Sequence, residues 1–342
     1  MVVRVLYSAP KGLGYHPVTY MAQLAAELFE AKLQVIGDDL QTPMGFLGRV
    51  LPRRSSGDSM LLIAASPGRL SRLMKVAGLL GRRPRIVAWV FDSFWLEDAP
   101  NWLRFVRADH VFVTEREEVR AWRRKIRAEV SWAPWGSDVL RLGSPSGERD
   151  LDLVRVGRQP LGWSDDARTA CACEARGLRF SGRPETRDDA GDNERHVMRE
   201  FARTKFTLSF SNAVNPAAQT HPYRQYVTAR WTDALAAGAV VAGIPPRSVS
   251  VDNLLWPEAL LDIGTTDMAA GLDVIAQASK TWRAEQAAFN HLQALQRLDW
   301  RWRFAQIADA MGVQPAKLQR EHDELRARIR QLAPVIASAP AV

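Results

Sequence analysis

Cations that stand at the ends of predicted strands are the first candidates for chemistry in this chain. In "VRVGRQP", Gly157 and Arg158 directly follow a β-branched run, and Lys205 stands just before a later run, "FTLSFS". Glycine lets a backbone approach a ligand closely, and the planar guanidinium of arginine matches phosphate oxygens. Arg158 and Lys205 could therefore hold a diphosphate together, or they could be ordinary surface charges.

A second group of charges lies in "TARWTDALAAGAVVAGIPP", residues 228–246. Its first part predicts a short helix that Gly238 ends, and "AVVAG" predicts a buried strand. Arg230 and Asp233 are three positions apart, so they fall on one face of that helix. Asp233 could accept hydrogen bonds from the vicinal hydroxyls of a ribose, and Arg230 could meet a neighbouring phosphate. Alternatively the two form a local ion pair, worth about 0.3 kcal/mol.

An alternation of short β-branched runs with helical patterns predicts the scaffold that positions these side chains. The runs in the N-terminal half are 2–7, 60–65, 85–91 and 110–114. Those in the C-terminal half are 151–157, 178–182, 206–211 and 259–264. Such alternation is typical of parallel sheets covered by helices on both faces. In open sheets of this kind, ligands bind outside the carboxyl ends of the strands.

Length and composition indicate two domains. The chain has 342 residues, more than one ordinary domain, and its Gly-, Ser- and Pro-rich stretch 141–150 predicts a linker. We therefore expect an N-terminal Rossmann-like domain at 1–145 and a C-terminal one at 151–311, followed by a helix and tail at 312–342. A ligand site is expected in the cleft between the two domains.

The net charge of +8 favours anionic partners. No nucleic-acid-binding motif is recognisable, so we expect no nucleic acid partner. The basic, amphipathic stretch 68–85, with Arg49, Arg53 and Arg54 nearby, could lie on an anionic membrane surface, or it could pack as a crossover helix on the sheet. Because no signal peptide or membrane span is recognisable, we expect a cytoplasmic protein, free or peripheral at the inner face of the membrane.

The sequence offers little for a metal or a redox centre. "DLD" at 150–152 matches an Asp-x-Asp metal pattern, but it opens a predicted strand, and no His/Cys cluster suggests zinc. Cys171 and Cys173 are expected to be free thiols. We therefore expect neither a metal nor a cofactor.

The C-terminal half resembles the GT-B glycosyltransferases. The resemblance rests on a strand followed by Gly-Arg, a later basic residue, an acidic residue before "ALAAGAVV", and "LDWRWRFAQIADAM" at 298–311. It covers most of residues 151–311 and, more loosely, the first domain. It implies an α/β fold of two Rossmann-like parallel-sheet domains that face each other across a cleft. The second domain would bind a nucleotide-diphosphate sugar as co-substrate, and the first would bind a saccharide, lipid-linked or small-molecule acceptor.

The resemblance also implies roles for single residues. Arg158 and Lys205 would hold the donor diphosphate, and Asp233 would bind the ribose of the nucleotide. Gln225 stands where many retaining members carry a glutamate. A further set could line the sugar pocket: His221, Tyr223 and Tyr226.

In the N-terminal half, His16 resembles the base of inverting GT-B enzymes. It ends the Gly-rich "SAPKGLGYHP" and begins a predicted helix, where an imidazole could deprotonate an acceptor hydroxyl. Asp92, after a strand in "WVFDSFW", is the candidate to orient it, with Glu97 and Asp98 as alternatives. His16 could equally only cap or pack its helix.

Two mechanisms stay open at this point. In an inverting displacement His16 acts as the base. In a retaining transfer the donor phosphate takes the proton, and Gly12 and Gly14 let their loop approach it. Either way we expect metal-independent transfer of a sugar to a hydroxyl, in the synthesis of a glycan, glycolipid or natural-product glycoside. The rival expectation is a non-catalytic nucleotide-sugar or glycan-binding protein of the same fold.

Overall fold

The computed structural model divides the chain into two compact units. It describes residues 2–10, 12–37, 55–77, 83–105, 108–217 and 220–337. The first unit comprises Met1–Pro134 and Arg301–His322, and the second comprises Trp135–Trp300 and Asp323–Val342.

Most of the strands follow the predicted β-branched runs, although residues 32–35 and 129–132 form strands that no predicted run covered and the predicted run 178–182 contributes only a bridge at Phe180. In chain order they are β1 (Val3–Ser8), β2 (Lys32–Val35), β3 (Ser55–Ala64), β4 (Arg83–Val90), β5 (His110–Val113), β6 (Glu129–Trp132), β7 (Leu151–Arg155), β8 (Thr204–Phe210), β9 (Val240–Ile244) and β10 (Leu260–Asp262).

The α-helices fall between and after these strands. They are α1 (His16–Leu28), α2 (Pro67–Ala77), α3 (Val119–Lys125), α4 (Val139–Leu142), α5 (Asp166–Glu174), α6 (Ala190–Ala202), α7 (Ala229–Ala236), α8 (Val249–Leu254), α9 (Met268–Lys280), α10 (Ala284–Arg297), α11 (Trp300–Met311) and α12 (Ala316–Ala337). Short 3₁₀ turns lie at Leu13–Tyr15, Leu96–Asp98, Asn101–Phe105, Arg116–Glu118, Leu161–Trp163 and Pro257–Ala259.

The first unit is built on a six-stranded parallel sheet with the order β2-β1-β3-β4-β5-β6. The central strands read as largely apolar runs because both faces of the sheet are covered there, whereas the edge strand β2 is mostly exposed. Leu62, Val90 and Val111 pack on one such face with Trp122 of α3, and all four side chains are buried. The carboxyl ends of β1 and β4 therefore open onto one edge, where α1 begins and Asp92 follows.

The second unit has a four-stranded parallel sheet with the order β10-β9-β8-β7. On the outer side of β7, Phe180 forms a parallel bridge with Leu153. The chain thus leaves β7 towards one side and returns as β8 on the other side. This reversal makes the carboxyl ends of β7 and β8 a topological switch point, where ligands bind in open α/β sheets.

The stretch 141–150 lies inside the second unit rather than between the units. Arg149 is buried there, and its guanidinium donates to the carbonyl oxygens of Phe201 at 2.8 Å and Ala237 at 2.9 Å. A Cβ on Gly147 would overlap Ala284. The small residues that suggested a flexible linker therefore permit close packing, and the predicted boundary at 145 differs from the division after Pro134.

The basic stretch 68–85 is described only in part, and its helical part is α2. Leu70, Leu73 and Met74 on α2 are buried in the core of the first unit, as expected for a crossover helix. The apolar stripe therefore packs on the sheet, and membrane contact through it has no support. Residues 78–82 and the basic residues Arg49, Arg53 and Arg54 lie outside the described residues. No helix in the described ranges is long and apolar enough to cross a membrane.

Candidate functional site

The loop that follows β7 collects polar contacts at the switch point of the second unit. Gly157 has a φ of +76°, which L-residues with a side chain rarely adopt, and a Cβ there would lie 3.1 Å from Nη1 of Arg230. Arg183 donates from Nη2 to the Gly157 carbonyl oxygen at 3.1 Å, and Arg158 donates from Nη1 to the Asn215 carbonyl oxygen at 3.2 Å. The backbone turn thus brings two guanidinium groups to the carboxyl end of β7.

Arg230 adds a third guanidinium from the first turn of α7. Because α7 connects the parallel strands β8 and β9, it runs antiparallel to them, and its N-terminus lies at their carboxyl edge. Arg230 donates to the carbonyl oxygens of Phe210 at 2.7 Å and Arg158 at 3.3 Å. Burial, together with the charge of Arg158, lowers the pKa of Arg230 to about 10, and Tyr226 acts in the opposite sense. A partly buried cation of this kind gains from a nearby anion.

These three guanidinium groups bind backbone carbonyls and no carboxylate. Within the described part of the chain, no Asp or Glu lies within ion-pair distance of Arg158, Arg183 or Arg230. Nε of Arg230 is buried without a hydrogen-bond partner. The adjacent N-terminus of α7 has no side-chain cap from Thr228. Guanidinium groups with no carboxylate partner among the described residues, beside uncapped helix N–H groups, form a candidate anion site whose chemistry suits a diphosphate.

The predicted pairing of Arg158 with Lys205 is wrong. Lys205 lies at the start of β8, and Arg158 follows the end of the neighbouring parallel strand β7. The two cations therefore stand at opposite edges of the sheet. Nζ of Lys205 donates to Oδ1 of Asp152 at 2.7 Å and to Oγ of Ser279 at 3.1 Å, so its charge is neutralised within the fold.

The structure also contradicts the predicted exposure of Asp233 to a ribose. Asp233 is 4% exposed and lies with Asp138 and Glu194, two further buried acids. Burial, reinforced by the charge of Asp138, raises the pKa of Asp233 to about 8. No ion pair joins Asp233 to Arg230, because the two side chains leave α7 towards different neighbours. A protonated, enclosed carboxyl does not offer a charged acceptor to a ligand at the edge of the sheet.

The long segment after β8 carries the residues predicted to line the sugar pocket. Oε1 of Gln225 accepts from Oγ of Ser211 at 2.8 Å and from the backbone N of Arg247 at 3.0 Å, so it joins the ends of β8 and β9. Nδ1 of His221 accepts from the backbone N–H of Tyr223 at 3.2 Å and supports the turn. Tyr223 is 89% exposed. Tyr226 lies close enough to Arg230 to affect its pKa, so this segment adjoins the anion site.

In the first unit, Asp92 is bound by a tyrosine instead of the predicted histidine. Oη of Tyr15 donates to Oδ2 of Asp92 at 2.9 Å, and Nδ1 of His16 is buried without a hydrogen-bond partner. The prediction that Asp92 orients His16 is therefore wrong. Gly12 and Gly14 lie in the same loop, and nothing lies within 4 Å of a Cβ on either. Their predicted contact with a donor phosphate stays a prediction.

The carboxylates of the Asp-x-Asp pattern have partners in the fold. Asp150 forms an ion pair with Arg203, and Asp152 accepts from Lys205, from Ser279 and from the backbone N of Arg179. Cys171 and Cys173 are free thiols, as predicted, and Cys173 is buried.

Two residues of these sites were missed from the sequence. Arg183 follows the "LRFSG" run as "SGRP", the same strand-Gly-Arg pattern that identified Arg158 in "VRVGRQP". A search for that repeated pattern would have identified Arg183. Tyr15 immediately precedes His16, but no pattern in the sequence indicates that it would bond to Asp92.

No protein-family model matches this chain, and no curated protein matches its sequence. Its fold is similar to that of Anabaena HepE in complex with UDP and glucose, with a TM-score of 0.54 and 14% identity over 90% of this chain and 99% of that chain. Apo OtsA has a TM-score of 0.49 and 10% identity over 91% of this chain and 99% of that one. Apo UGT2 of Phytolacca americana has a TM-score of 0.42 and 12% identity over 95% of this chain and 100% of that one. The likeness to HepE confirms the predicted α/β fold of the GT-B type, with two parallel sheets.

Proposed function

We propose that this chain is a glycosyltransferase that moves a sugar from a nucleoside-diphosphate sugar to a hydroxyl acceptor. The observation that carries the proposal is the group of three arginines at the switch point of the second unit, which have no carboxylate partner in the part of the chain that the structure describes. A diphosphate is the ligand whose charge and oxygen spacing suit several guanidinium groups beside a helix N-terminus. The fold shared with HepE, whose crystal structure is a complex with UDP and glucose, supports the same ligand class.

The chemistry of this site follows from the leaving group. When the bond from the anomeric carbon to the phosphate oxygen breaks, the diphosphate gains negative charge. Arg158 and Arg230 would stabilise that charge, and positioned cations of this kind act most strongly where water is excluded. We therefore propose a metal-independent transfer with Arg230 in the role predicted for Lys205. The product would be a glycan, a glycolipid or a glycoside, made in the cytoplasm.

Titration calorimetry with UDP tests the binding half of the proposal. We expect wild-type protein to bind UDP and Arg158→Ala to bind it about tenfold more weakly, because a charge-assisted hydrogen bond contributes about 1.5 kcal/mol. Arg195→Ala is the matched control, since Arg195 is an exposed arginine paired with Asp192 on α6. If UDP, ADP and GDP all fail to bind to wild-type protein, the diphosphate site is wrong.

A nucleotide-release assay tests the catalytic half. We expect release of free nucleoside diphosphate from at least one member of a panel of nucleotide sugars, with water or an added sugar as acceptor. A protein that binds the nucleotides but releases none over hours would be the non-catalytic binding protein of this fold.

A further inference from the structure

Tyr15 and Asp92 meet at the carboxyl edge of the first unit's sheet, although 77 positions separate them. Tyr15 ends the loop that follows β1, and Asp92 begins the turn that follows β4. Both strands pair with β3, so their carboxyl ends lie on the same side. The hydrogen bond of 2.9 Å from the Tyr15 phenol uses only Oδ2 of Asp92. The other carboxylate oxygen has no hydrogen-bond partner in the part of the chain described.

The surroundings of Asp92 suit a group that takes up a proton near neutral pH. The side chain is half-buried, and no cation in the described ranges forms an ion pair with it. Burial raises the pKa of Asp92 to about 6, and the hydrogen bond from Tyr15 acts in the opposite direction. A carboxylate with such a pKa is ionised at pH 7 and yet more basic than an exposed aspartate, as an efficient general base requires.

Among the described residues, His16 lacks the carboxylate partner that would orient it as a general base. An imidazole base is usually held in one tautomer by a carboxylate, and Asp92 is engaged by Tyr15 instead. Nδ1 of His16 is buried and has no hydrogen-bond partner. The hydrogen-bonded pair at this edge of the sheet is therefore the phenol of Tyr15 and the carboxyl of Asp92.

We propose that Asp92 is the general base of the transfer, that Tyr15 is its positioning residue, and that the transfer inverts the anomeric configuration. This inference rests on the proposed glycosyltransferase function. The free oxygen of Asp92 takes the proton of the acceptor hydroxyl as that hydroxyl oxygen bonds to the anomeric carbon. The bond from the anomeric carbon to the phosphate oxygen breaks on the opposite face, and its electron pair leaves with the nucleoside diphosphate.

Steady-state kinetics test this assignment. They use the donor that the nucleotide-release assay identifies. Asp92→Asn should lower kcat by about 100-fold or more and leave the Kd for UDP unchanged, because the amide keeps the shape but cannot accept the proton. Tyr15→Phe removes the hydrogen bond that lowers the pKa of Asp92, so the acid limb of the kcat/KM profile should move to higher pH. A purely structural role of Tyr15 would not move that limb. Asp309→Asn, at an exposed aspartate on α11 of the same unit, is the matched control.

The outcomes separate the two proposals. Proton NMR of the product should show a configuration opposite to that of the donor, and a retained configuration would overturn the assignment of a base. A near-normal rate in Asp92→Asn, with loss of transfer in His16→Ala, would give the role to His16 instead. If wild-type protein releases no nucleotide from any donor, the glycosyltransferase function itself fails, and the inference fails with it.

Discussion

The two edges of the second unit's sheet carry the same kinds of side chain with opposite consequences. At the amino edge, Lys205 and Arg203 are paired with Asp152 and Asp150. At the carboxyl edge, the partners of the three guanidinium groups within the described residues are carbonyl oxygens, which carry no net charge to neutralise them. Cations that find carboxylates inside the fold contribute to its stability, whereas cations without them are available to an anionic ligand. The position of a cation along its strand thus separates a structural charge from a binding one.

Asp152→Ala should give the largest effect, and the effect should be on stability. Asp152 is 6% exposed in its side chain, and its removal leaves Lys205 without a carboxylate and the hydroxyl of Ser279 without its acceptor. Breaking a largely buried ion pair of this kind costs about 3–5 kcal/mol. Urea unfolding at pH 7 measures this loss, and Asp150→Ala, in an exposed pair, should cost less than about 1 kcal/mol. Normal stability combined with lost UDP binding would instead put a ligand site at the amino edge.

Arg230→Gln should affect binding more than stability. Glutamine can still donate to a backbone carbonyl but carries no charge, so the affinity for UDP should fall about 10- to 100-fold. Calorimetry at fixed ionic strength measures this change, and the unfolding free energy serves as the control. An unchanged Kd would remove Arg230 from the anion site and would weaken the contrast between the two edges.

The contributions of Asp233 and Asp152 to folding stability should depend on pH in opposite directions. The pKa of Asp152 is lowered, although burial alone would raise it, because hydrogen bonds from Lys205 and Arg179 outweigh burial. Its stabilisation is present above the unfolded-state pKa and is lost as the pH falls. The pKa of Asp233 is raised to about 8, so its stabilisation is present at acid pH and is lost as the pH rises through 8.

Asp233→Asn tests this sign directly. The unfolding free energy of wild-type protein should fall as the pH rises from 5 to 8, and the variant should reduce that slope by up to about 1.4 kcal/mol per pH unit. Urea unfolding at both pH values measures it, with Asp262→Asn as an exposed control in the same unit. A variant that loses UDP affinity at unchanged stability would restore the predicted contact with a ribose.

Arg183→Ala should give the smallest effect. Its guanidinium is exposed, and within the described ranges it contacts the Gly157 carbonyl alone. Exposed charges contribute about 0.2–1 kcal/mol, so the Kd for UDP should rise less than about fivefold. The difference from wild type should shrink as salt is added, because exposed charges are screened. A loss as large as that of Arg230→Gln would mean that Arg183 closes over the ligand.

Part of this contrast between the two edges could be predicted from the sequence alone. Arg158 follows one predicted strand and Lys205 precedes the next, and all strands of a parallel sheet point the same way. That alone places the two cations at opposite edges. The periodicity of α7 likewise puts Arg230 and Asp233 on one helix, but it does not show which side chain meets the interior. The acid cluster around Asp233 is formed by residues of α6 and of the start of α4, and no local pattern reveals it.

The sequence by itself determined the alternation of strands and helices, the parallel sheets and the Gly-Arg turn after β7, because hydrophobic periodicity and turn chemistry act between near neighbours in the chain. The tertiary structure alone decided which charges find partners. Arg230 reaches a carbonyl 72 positions away, and Tyr15 reaches a carboxyl 77 positions away. Such contacts, and the burial that shifts the pKa values of Asp92 and Asp233, depend on how distant segments pack, so they exist only in the folded chain.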